Sequence, residues 1–362
     1  MALDRIILST FRNHAASELE QTAQFNLLVG ENGAGKTNVL EALSLLAPGR
    51  GLRRAPLPDM VGQAGTGGFA IGASLKEQGH ESARIGTHVE PGQPSRRQVR
   101  INGAVASASS MGEWLAMGWL TPSMDGLFTD SAGARRRYID RMALAIDPTH
   151  ARNTSRYEAA IRERNKLLED SGGRASEATW FDAIEAQAAE FGALVAATRQ
   201  NLITALTDEL SALPNEPFAK PLLTYRAGGP LGFEELREAF RSARPKDRAA
   251  GRGLSGPHRD ELEVVMSGSG QPASRCSTGE QKAMLIAITL AHATLAAEGR
   301  PGVLLLDEVA AHLDEVRRAA LFERLRQSAA QVWFTGTETA PFAAIMDEAA
   351  VWCVSGGTLE RI

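Results

Sequence analysis

The feature that most constrains this chain is a glycine-rich segment at residues 30–37 (GENGAGKT), which lies between an apolar run and a helical pattern. Residues 25–29 (FNLLV) have the length of a strand, and residues 38–46 have helical spacing. The segment matches the pattern G-x-x-x-x-G-K-[ST], in which backbone amides wrap around phosphates at a helix N-terminus. The sequence therefore predicts a phosphate-binding loop formed by Gly30, Glu31, Asn32, Gly33, Ala34, Gly35, Lys36 and Thr37.

The last two residues of this segment add chemistry that a merely flexible turn does not explain. In loops of this type the lysine reaches the β- and γ-phosphates, and the hydroxyl that follows it binds Mg²⁺. We therefore expect Lys36 to contact phosphate and Thr37 to hold the metal, with ATP and Mg²⁺ as the cofactors.

A second centre follows the apolar run at residues 303–306, which ends in Asp307 and Glu308. A strand that is apolar at every position is typical of a parallel sheet buried on both faces, and ligands bind at the carboxyl edge of such sheets. Two acids at the end of a strand often have no role beyond facing solvent where the chain leaves the sheet. Alongside the glycine loop, Asp307 is expected to complete the Mg²⁺ shell and Glu308 to orient or deprotonate the attacking water.

A third segment opens a helical pattern at Ser277. Ser277 and Glu280 fit a capping box, whose role would be only to begin the helix. The segment also resembles the signature motif of ABC-type ATPases, whose helix N-terminus caps the γ-phosphate held by the other protomer. That resemblance implies nucleotide contacts in trans from Gly279 and from Ser277, which it places among the catalytic residues. Residues 310–314, ending at Asp314, resemble the D-loop that lines the same interface.

Composition limits the kinds of partner and compartment. The chain has 39 basic and 43 acidic residues, a net charge of −4, so any DNA contact must be local instead of resting on bulk positive charge. Two cysteines are too few for a disulfide framework. No apolar stretch approaches the length of a membrane span, and the first residues do not read as a signal peptide. These features lead us to expect a cytoplasmic protein with no membrane contact.

The order of patterns predicts an α/β fold with an inserted helical domain. We expect residues 1–125 to form the first part of an ATPase head, residues 126–213 a helical insert, and residues 214–362 the rest of the head. Within the insert, apolar residues from Ile184 to Leu213 recur at steps of three and four, which indicates a long amphipathic helix. It is predicted to be half of a hairpin with its tip near residues 172–173, either projecting as an arm or folded flat on the head.

Four further segments stand outside the three ATPase motifs, at residues 11–13 (FRN), 49–54 (GRGLRR), 135–140 (RRRYID) and 255–260 (SGPHRD). Taken with those motifs, they resemble the RecF family, in the SMC/Rad50-like branch of ABC-type ATPases, over the whole chain. The resemblance implies a P-loop NTPase head of the ABC type, with mixed β-sheets and flanking helices. It also implies that Arg12 and Asn13 lie near the nucleotide base.

The resemblance further implies a function in recombinational DNA repair, DNA replication and the SOS response. A family member of this kind would bind Mg-ATP and dimerise on DNA at gaps and single-strand/double-strand junctions. It would hydrolyse ATP slowly, with stimulation by DNA, and help RecO and RecR to load the RecA recombinase.

The chain departs from the family pattern at several positions. Cys276 replaces the usual leucine before the signature serine, Glu280 is the less usual residue in that motif, and Thr337 stands where a histidine is common. Residues 121–125 contain no Q-loop glutamine. A transporter ATPase would need that glutamine and histidine, and a condensing or Rad50-type protein would need a far longer coiled coil. A protein that keeps ATP as a structural ligand stays open as an alternative.

A basic stretch provides the candidate DNA surface. Residues 135–166 contain nine basic and four acidic side chains, a local excess of five positive charges. Such a run is commonly just the solvated face of a helix. The DNA-binding reading centres on Arg135, Arg136 and Arg137, with the arginines of residues 50–54 as the other candidate.

Overall fold

The structure, a computed structural model, describes residues 2–62, 67–77, 80–170, 175–214, 216–297 and 300–362. The chain divides into two compact units. Unit 1 contains residues 1–125, 214–219 and 278–362, and unit 2 contains residues 126–213 and 220–277. The predicted hairpin tip at residues 172–173 lies outside the described residues.

The strands in chain order are β1 (Leu3–Phe11), β2 (His14–Leu19), β3 (Phe25–Val29), β4 (Phe69–Glu77), β5 (His80–Val89), β6 (Arg97–Ile101), β7 (Ala104–Ala106), β8 (Ala116–Leu120), β9 (Pro221–Arg226), β10 (Glu261–Met266), β11 (Gly302–Leu306), β12 (Gln331–Gly336), β13 (Ala349–Ser355) and β14 (Thr358–Arg361). The α-helices are α1 (Lys36–Ser44), α2 (Met111–Trp114), α3 (Ala132–Ile146), α4 (His150–Asp170), α5 (Ala175–Ala212), α6 (Phe233–Ala250), α7 (Thr278–Ala296) and α8 (Glu315–Gln327).

Unit 1 is built around a mixed sheet with the strand order β14-β13-β3-β12-β11-β8. The five strands from β13 to β8 run parallel, and every residue of β11 and β12 is buried. This explains the unbroken apolar runs in the sequence, since both faces of a parallel sheet are covered. The carboxyl ends of β3, β12 and β11 therefore lie side by side, and the glycine loop follows the first of them.

A second sheet of unit 1 is antiparallel, with the order β2-β1-β4-β5-β6-β7. One face is buried, as the alternating burial of β1 shows, and the turn between β1 and β2 carries Arg12 and Asn13. This sheet therefore joins the N-terminal strands to the strands that follow α1. Its turn brings residues far from the glycine loop in sequence close to that loop in space.

Unit 2 combines helices α3 to α6 with the antiparallel pair β9 and β10. The helix α5 has 38 residues, about 57 Å at the rise of an α-helix, and packs against α3, α4, α6 and β9. Its apolar face includes Ile184, Ala188 and Val195, which share a core with Tyr157 of α4 and with α6. The long amphipathic helix predicted from the sequence is present.

For residues 220–277, the sequence did not indicate the structural unit to which they belong. The sequence assigned them to the second half of the head, whereas by contacts they belong with the helical residues in unit 2. The physical reason is that β9 and β10 pair with each other, and the helix α6 between them buries Leu236 and Phe240 in the core of unit 2. In the part of the chain that the structure describes, no helix is both long and apolar enough to cross a membrane.

Candidate nucleotide site

The glycine loop owes its shape to three backbone positions that other residues would not tolerate. Gly33 and Gly35 have φ values of 82° and 117°, in the region that favours glycine. A Cβ on Gly30 would come within 2.2 Å of the carbonyl oxygen of Val354 in β13. Glu31, Asn32 and Gly33 are solvent-exposed, so the loop is open on its outer side.

Two turns support the loop from behind. The Asn13 amide donates to the Ala34 carbonyl (2.8 Å), and His14 Nε2 donates to the Gly35 carbonyl (3.1 Å). From the turn between β13 and β14, the Gly357 amide also donates to the Ala34 carbonyl (3.1 Å). His14 and Gly357 were missed by sequence reasoning, because nothing near them in sequence signals a contact with residues 34–35.

The helix α1 begins at Lys36 directly after the loop, and its N-terminus is suited to an anion. Gly35 provides no side-chain cap, and the first turn contains no acidic residue. The first amides of a helix lack intrahelical partners and form the positive end of its dipole, which favours phosphate. The Lys36 ammonium donates to the carbonyls of Gly30 (2.6 Å) and Glu31 (2.8 Å), so it lies over the same loop.

Asp307 follows β11 and faces the loop. Its Oδ1 accepts hydrogen bonds from the Thr37 hydroxyl (2.9 Å) and from the Thr335 hydroxyl (2.8 Å). Burial raises the pKa of the Asp307 carboxyl, and the two hydroxyl groups offset that only in part. The structure therefore brings together the two predicted magnesium ligands, Thr37 and Asp307, although they are 270 residues apart.

Glu308 is half-buried beside Asp307, in an unusual backbone conformation. Its φ is 55°, a left-handed conformation that costs an L-residue about 1–2 kcal/mol. Its amide donates to the Thr335 hydroxyl at 2.9 Å. Burial lowers the pKa of Lys36, while the carboxylates of Glu308 and Asp307 act to raise it.

These residues fit a magnesium–nucleotide complex. The loop supplies amides and a lysine for phosphate, and the hydroxyl of Thr37 and the carboxylate of Asp307 are hard oxygen donors of the kind that Mg²⁺ prefers. A Mg²⁺ ion held by Thr37 and Asp307 would neutralise part of the negative charge of the phosphates. Glu308 adds a second carboxylate directly after Asp307 at the end of β11.

Arg12 and Asn13, predicted to lie near the base, are held differently from each other. Asn13 contacts the loop and also accepts from the Asn38 amide (2.7 Å). The Arg12 guanidinium binds both carboxylate oxygens of Glu41, each at 2.9 Å, and the Asp59 carbonyl at 2.6 Å. Arg12 thus anchors the β1–β2 turn to the fully buried Glu41 of α1.

The signature and D-loop residues lie on the surface. Ser277 and Gly279 are exposed at the start of α7, and a Cβ on Gly279 would meet nothing within 4 Å. Asp314 is exposed and caps α8 by accepting from the Arg317 amide (2.9 Å). Close by, Val316 is 68% exposed, which is high for an aliphatic side chain.

Two of the three predicted DNA contacts are occupied by partners within unit 2. Arg135 makes two bonds to Glu261, at 2.6 and 2.9 Å, and Arg136 donates to the Asp260 carbonyl at 2.9 Å. Arg137 is exposed. Of the nine basic residues at 135–166, the solvent-exposed ones are Arg137, Arg152, Arg156, Arg162 and Lys166.

The other residues of the two family motifs join a buried polar network. Arg199 of α5 binds Asp140 (2.8 and 2.9 Å) and Asp260 (2.8 Å), and Asp260 also accepts from Tyr225 and from the Gly228 amide. Burial alone would raise the pKa of Asp140, but bonds from His150 and Arg199 outweigh it and hold the pKa at about 2. The sequence showed these motifs as family signatures and gave no sign that they pair.

Residues 2–354 match the family described as the RecF/RecN/SMC N terminal domain. The DNA replication and repair protein RecF of Mesorhizobium japonicum is 46% identical over 99% of this chain and 97% of its own length. The protein of the same name from Brucella suis is 45% identical over 100% of this chain and 97% of its own length.

Solved structures agree with the fold. The structure of a recombination mediator protein RecF with ATPγS in the RecFOR pathway superposes with a TM-score of 0.87 at 21% identity, covering 99% of this chain and 98% of that one. A RecF–ATP structure gives 0.86 at 22% identity, covering 100% of this chain and 97% of the other. An Smc head domain from Pyrococcus furiosus gives 0.55 at 15% identity. The α/β fold of an ABC-type head with a helical insert is therefore confirmed.

Proposed function

This chain belongs to the RecF family of DNA replication and repair proteins, and from that premise we propose that it is an ATP-gated clamp on DNA. One observation carries the nucleotide part of the proposal. Lys36, Thr37, Asp307 and Glu308 meet at the edge where β3, β12 and β11 end, below an open glycine loop. This is the set of groups that phosphoryl transfer to water requires.

Each residue has a distinct part in the proposed hydrolysis. Lys36 and the amides that begin α1 bind the β- and γ-phosphates of ATP, and Thr37 and Asp307 would hold Mg²⁺. Glu308 orients the attacking water and accepts its proton as the water oxygen forms a bond to the γ-phosphorus. The bond from that phosphorus to the bridging oxygen breaks, and ADP leaves with inorganic phosphate.

The clamp closes when two copies of the chain meet. In this proposal Ser277, Gly279 and Asp314 of one copy complete the site of the other, as the signature and D-loop motifs do in ABC-type ATPases. Their exposure, the open space at Gly279 and the exposed Val316 support a surface made for a partner. ATP acts as the ligand that favours the closed dimer, and hydrolysis releases it.

DNA is proposed to bind the closed dimer. Arg137 and the exposed basic side chains of α4 are the candidate phosphate contacts, since Arg135 and Arg136 are committed to Glu261 and Asp260. By linkage, DNA that binds the closed form more tightly must in turn favour closure. The ATPase is therefore proposed to be slow alone and stimulated by DNA.

The relatives suggest the biological setting. The structures of RecF named above belong to the RecFOR pathway, and by similarity we propose that this chain acts with RecR and RecO to load RecA at gapped DNA. We propose that it acts on chromosomal DNA in the cytoplasm, with roles in recombination, replication and the SOS response. A second ABC-type identity, such as a transporter subunit, is not supported by relatives that match over nearly the full length.

The test is the ATP turnover of the full chain, measured over a range of protein concentrations with and without gapped DNA. DNA is expected to raise the rate, and the rate per protomer should rise steeply with concentration at dilution, because dimerisation precedes catalysis. Ser277→Arg should remove the dependence of the rate on protein concentration without changing ATP affinity. Ser242→Arg, on the exposed face of α6, is the control. Turnover that is independent of both DNA and concentration would contradict the clamp.

A further inference from the structure

Thr335 carries a fully buried hydroxyl near the carboxyl end of β12. In the sheet, β12 lies between β3, which leads into the glycine loop, and β11, which Asp307 follows. In the register of the sheet, Thr335 pairs with Leu28 of β3, and its neighbour Phe334 pairs with Leu306 of β11. The hydroxyl is thus one residue beyond the last pair of β11, beside Asp307. Sequence comparison drew attention to Thr337 at this strand end, and not to Thr335.

The hydroxyl of Thr335 makes two bonds, whose directions are fixed by chemistry. The backbone amide of Glu308 can only donate, so Thr335 Oγ1 accepts from it at 2.9 Å. The single hydroxyl proton is then directed to Asp307 Oδ1 at 2.8 Å. One side chain therefore links the predicted metal-binding carboxylate to the backbone of the predicted water-activating residue.

The backbone of Glu308 needs such a link because its conformation is strained. A non-glycine residue with φ of 55° persists only where its surroundings hold it. Here the amide at the start of that turn is tied to Thr335, and the preceding Asp307 amide donates to the Leu120 carbonyl at 2.9 Å. The turn sets the direction in which the Glu308 side chain leaves β11.

We propose that Thr335 is a positioning residue of the ATPase site, which fixes the Asp307 carboxylate and holds the Glu308 turn in its productive conformation. The proposal rests on the proposed ATP hydrolysis. Thr335 is expected to affect the rate of hydrolysis and the Mg²⁺ concentration that the site needs. It is not expected to affect ATP affinity at saturating Mg²⁺. The lysine and amides that bind phosphate lie on the loop and α1, which Thr335 does not contact through this hydroxyl.

The competing explanation is that Thr335 only fills space in the core. Two substitutions separate shape from chemistry. Thr335→Val keeps the branched shape and removes the hydroxyl, whereas Thr335→Ser keeps the hydroxyl and removes a buried methyl group. A purely structural role predicts that serine is the more harmful change, because it leaves a cavity. A positioning role predicts the reverse for catalysis.

Thr22 offers a matched control. It is a buried threonine in the same unit, and its hydroxyl also accepts one bond, from Gln331 Nε2 at 3.1 Å, and donates one, to the Leu3 carbonyl at 2.5 Å. Gln331 begins the strand β12 that Thr335 nearly ends. Thr22→Val therefore removes the same kind of hydroxyl at the opposite end of the same strand.

The experiment measures steady-state ATP turnover, ATP affinity at saturating Mg²⁺, and the Mg²⁺ concentration that gives half-maximal ATP binding. For Thr335→Val we expect kcat to fall about 10- to 100-fold and the Mg²⁺ midpoint to rise, as is usual when the outer partner of a metal-binding carboxylate is lost. ATP affinity at saturating Mg²⁺ should stay close to that of the wild type. Thr335→Ser and Thr22→Val should keep the wild-type kcat and Mg²⁺ midpoint, whatever their melting temperatures.

The outcomes are distinguishable. A Thr335→Val protein with the wild-type kcat, or a Thr335→Ser protein as slow as Thr335→Val, would overturn the assignment of Thr335 while leaving the ATPase intact. A wild-type protein that turns over no ATP would instead refute the proposed function on which the assignment depends. Unfolding of Thr335→Val, detected by its melting temperature, would also count against it, since a purely positioning hydroxyl predicts a folded protein that binds ATP.

Discussion

The nucleotide edge of unit 1 and the polar network of unit 2 both include charged residues from family motifs, but they use their charge in opposite ways. At the nucleotide edge, Lys36 and Asp307 are buried as well, but Lys36 bonds backbone carbonyls and Asp307 bonds hydroxyl groups, and Glu308 is half-buried. In unit 2, Arg164 and Arg199 are buried and paired with acids of the same unit. The first arrangement is suited to binding and the second to holding helices together.

A residue in a family motif can therefore hold the fold together instead of binding a ligand, and its contacts show which of the two it does. Both RRRYID and SGPHRD help to identify the family, yet Arg135, Asp140 and Asp260 take part in ion pairs or hydrogen bonds within unit 2. Lys36 and Asp307, in contrast, bond uncharged carbonyl and hydroxyl groups of their own unit, which is the arrangement suited to phosphate and metal. The following predictions test whether the two regions separate as cleanly in solution as in the structure.

The largest effect on stability is expected from Arg164→Ala. This guanidinium is fully buried and bonded to Glu185 (3.0 Å), Asp247 (2.7 Å) and the Phe240 carbonyl (2.7 Å). Its removal leaves the buried Asp247 carboxylate without this cation, a change that typically costs about 3–5 kcal/mol. Denaturant unfolding measures the loss. Arg162→Ala, on the exposed side of the same helix, is the control and should unfold like the wild type.

A smaller free-energy effect, on binding and not on folding, is expected from Lys36→Ala. Losing a charged donor to phosphate should weaken ATP affinity about 10- to 100-fold, measured by titration. The melting temperature should stay close to that of the wild type, because Lys36 contacts only two carbonyls in the bonds described above. Lys76→Ala, which removes a surface pair with Asp4, is the control. If Lys36→Ala unfolded the protein, Lys36 would be needed for folding as well as for binding, which would contradict the contrast between the two regions.

The comparison is sharpened within one motif by Arg137→Glu and Arg135→Glu. Arg137 is exposed, so its reversal should lower DNA affinity and reduce the log–log salt slope by about 0.9 per lost phosphate contact, with stability unchanged. Arg135→Glu would place a carboxylate against Glu261 and should destabilise unit 2 instead. DNA binding over a salt series, with melting curves for both variants, decides this. An unchanged slope for Arg137→Glu would remove Arg137 from the DNA surface.

The smallest expected effect concerns His14 behind the glycine loop. Burial lowers the pKa of this histidine, and its bonds to the Gly35 and Gly357 region offset this only in part. The unfolded chain, with an ordinary pKa near about 6.5, then binds more protons than the folded one, so stability is lost as pH falls below that value. His14→Gln should flatten this part of the stability curve. An equal slope in both proteins would show that His14 does not contribute.

Much of the fold and part of the site could be predicted from local patterns. The glycine loop, the acids that follow an apolar strand and the long amphipathic helix each leave a signal within a few residues. Thr335, His14 and Gly357 leave none, because their roles depend on which strand ends meet across 21 to 340 residues of chain. Within the basic stretch at residues 135–166, the sequence could not separate exposed from paired side chains for a similar reason, since a count of charges cannot show that Arg135 pairs with Glu261.

The central claim, that ATP closes two copies of this chain, is tested most directly by sedimentation of Glu308→Gln with Mg-ATP and with Mg-ADP. The account predicts that this variant binds ATP normally, fails to hydrolyse it, and accumulates as a dimer with ATP but not with ADP. Lys36→Ala should stay monomeric with ADP, and also with ATP at concentrations below its own weakened Kd. A Glu308→Gln protein that remains monomeric at saturating ATP would contradict the composite site and the clamp built on it.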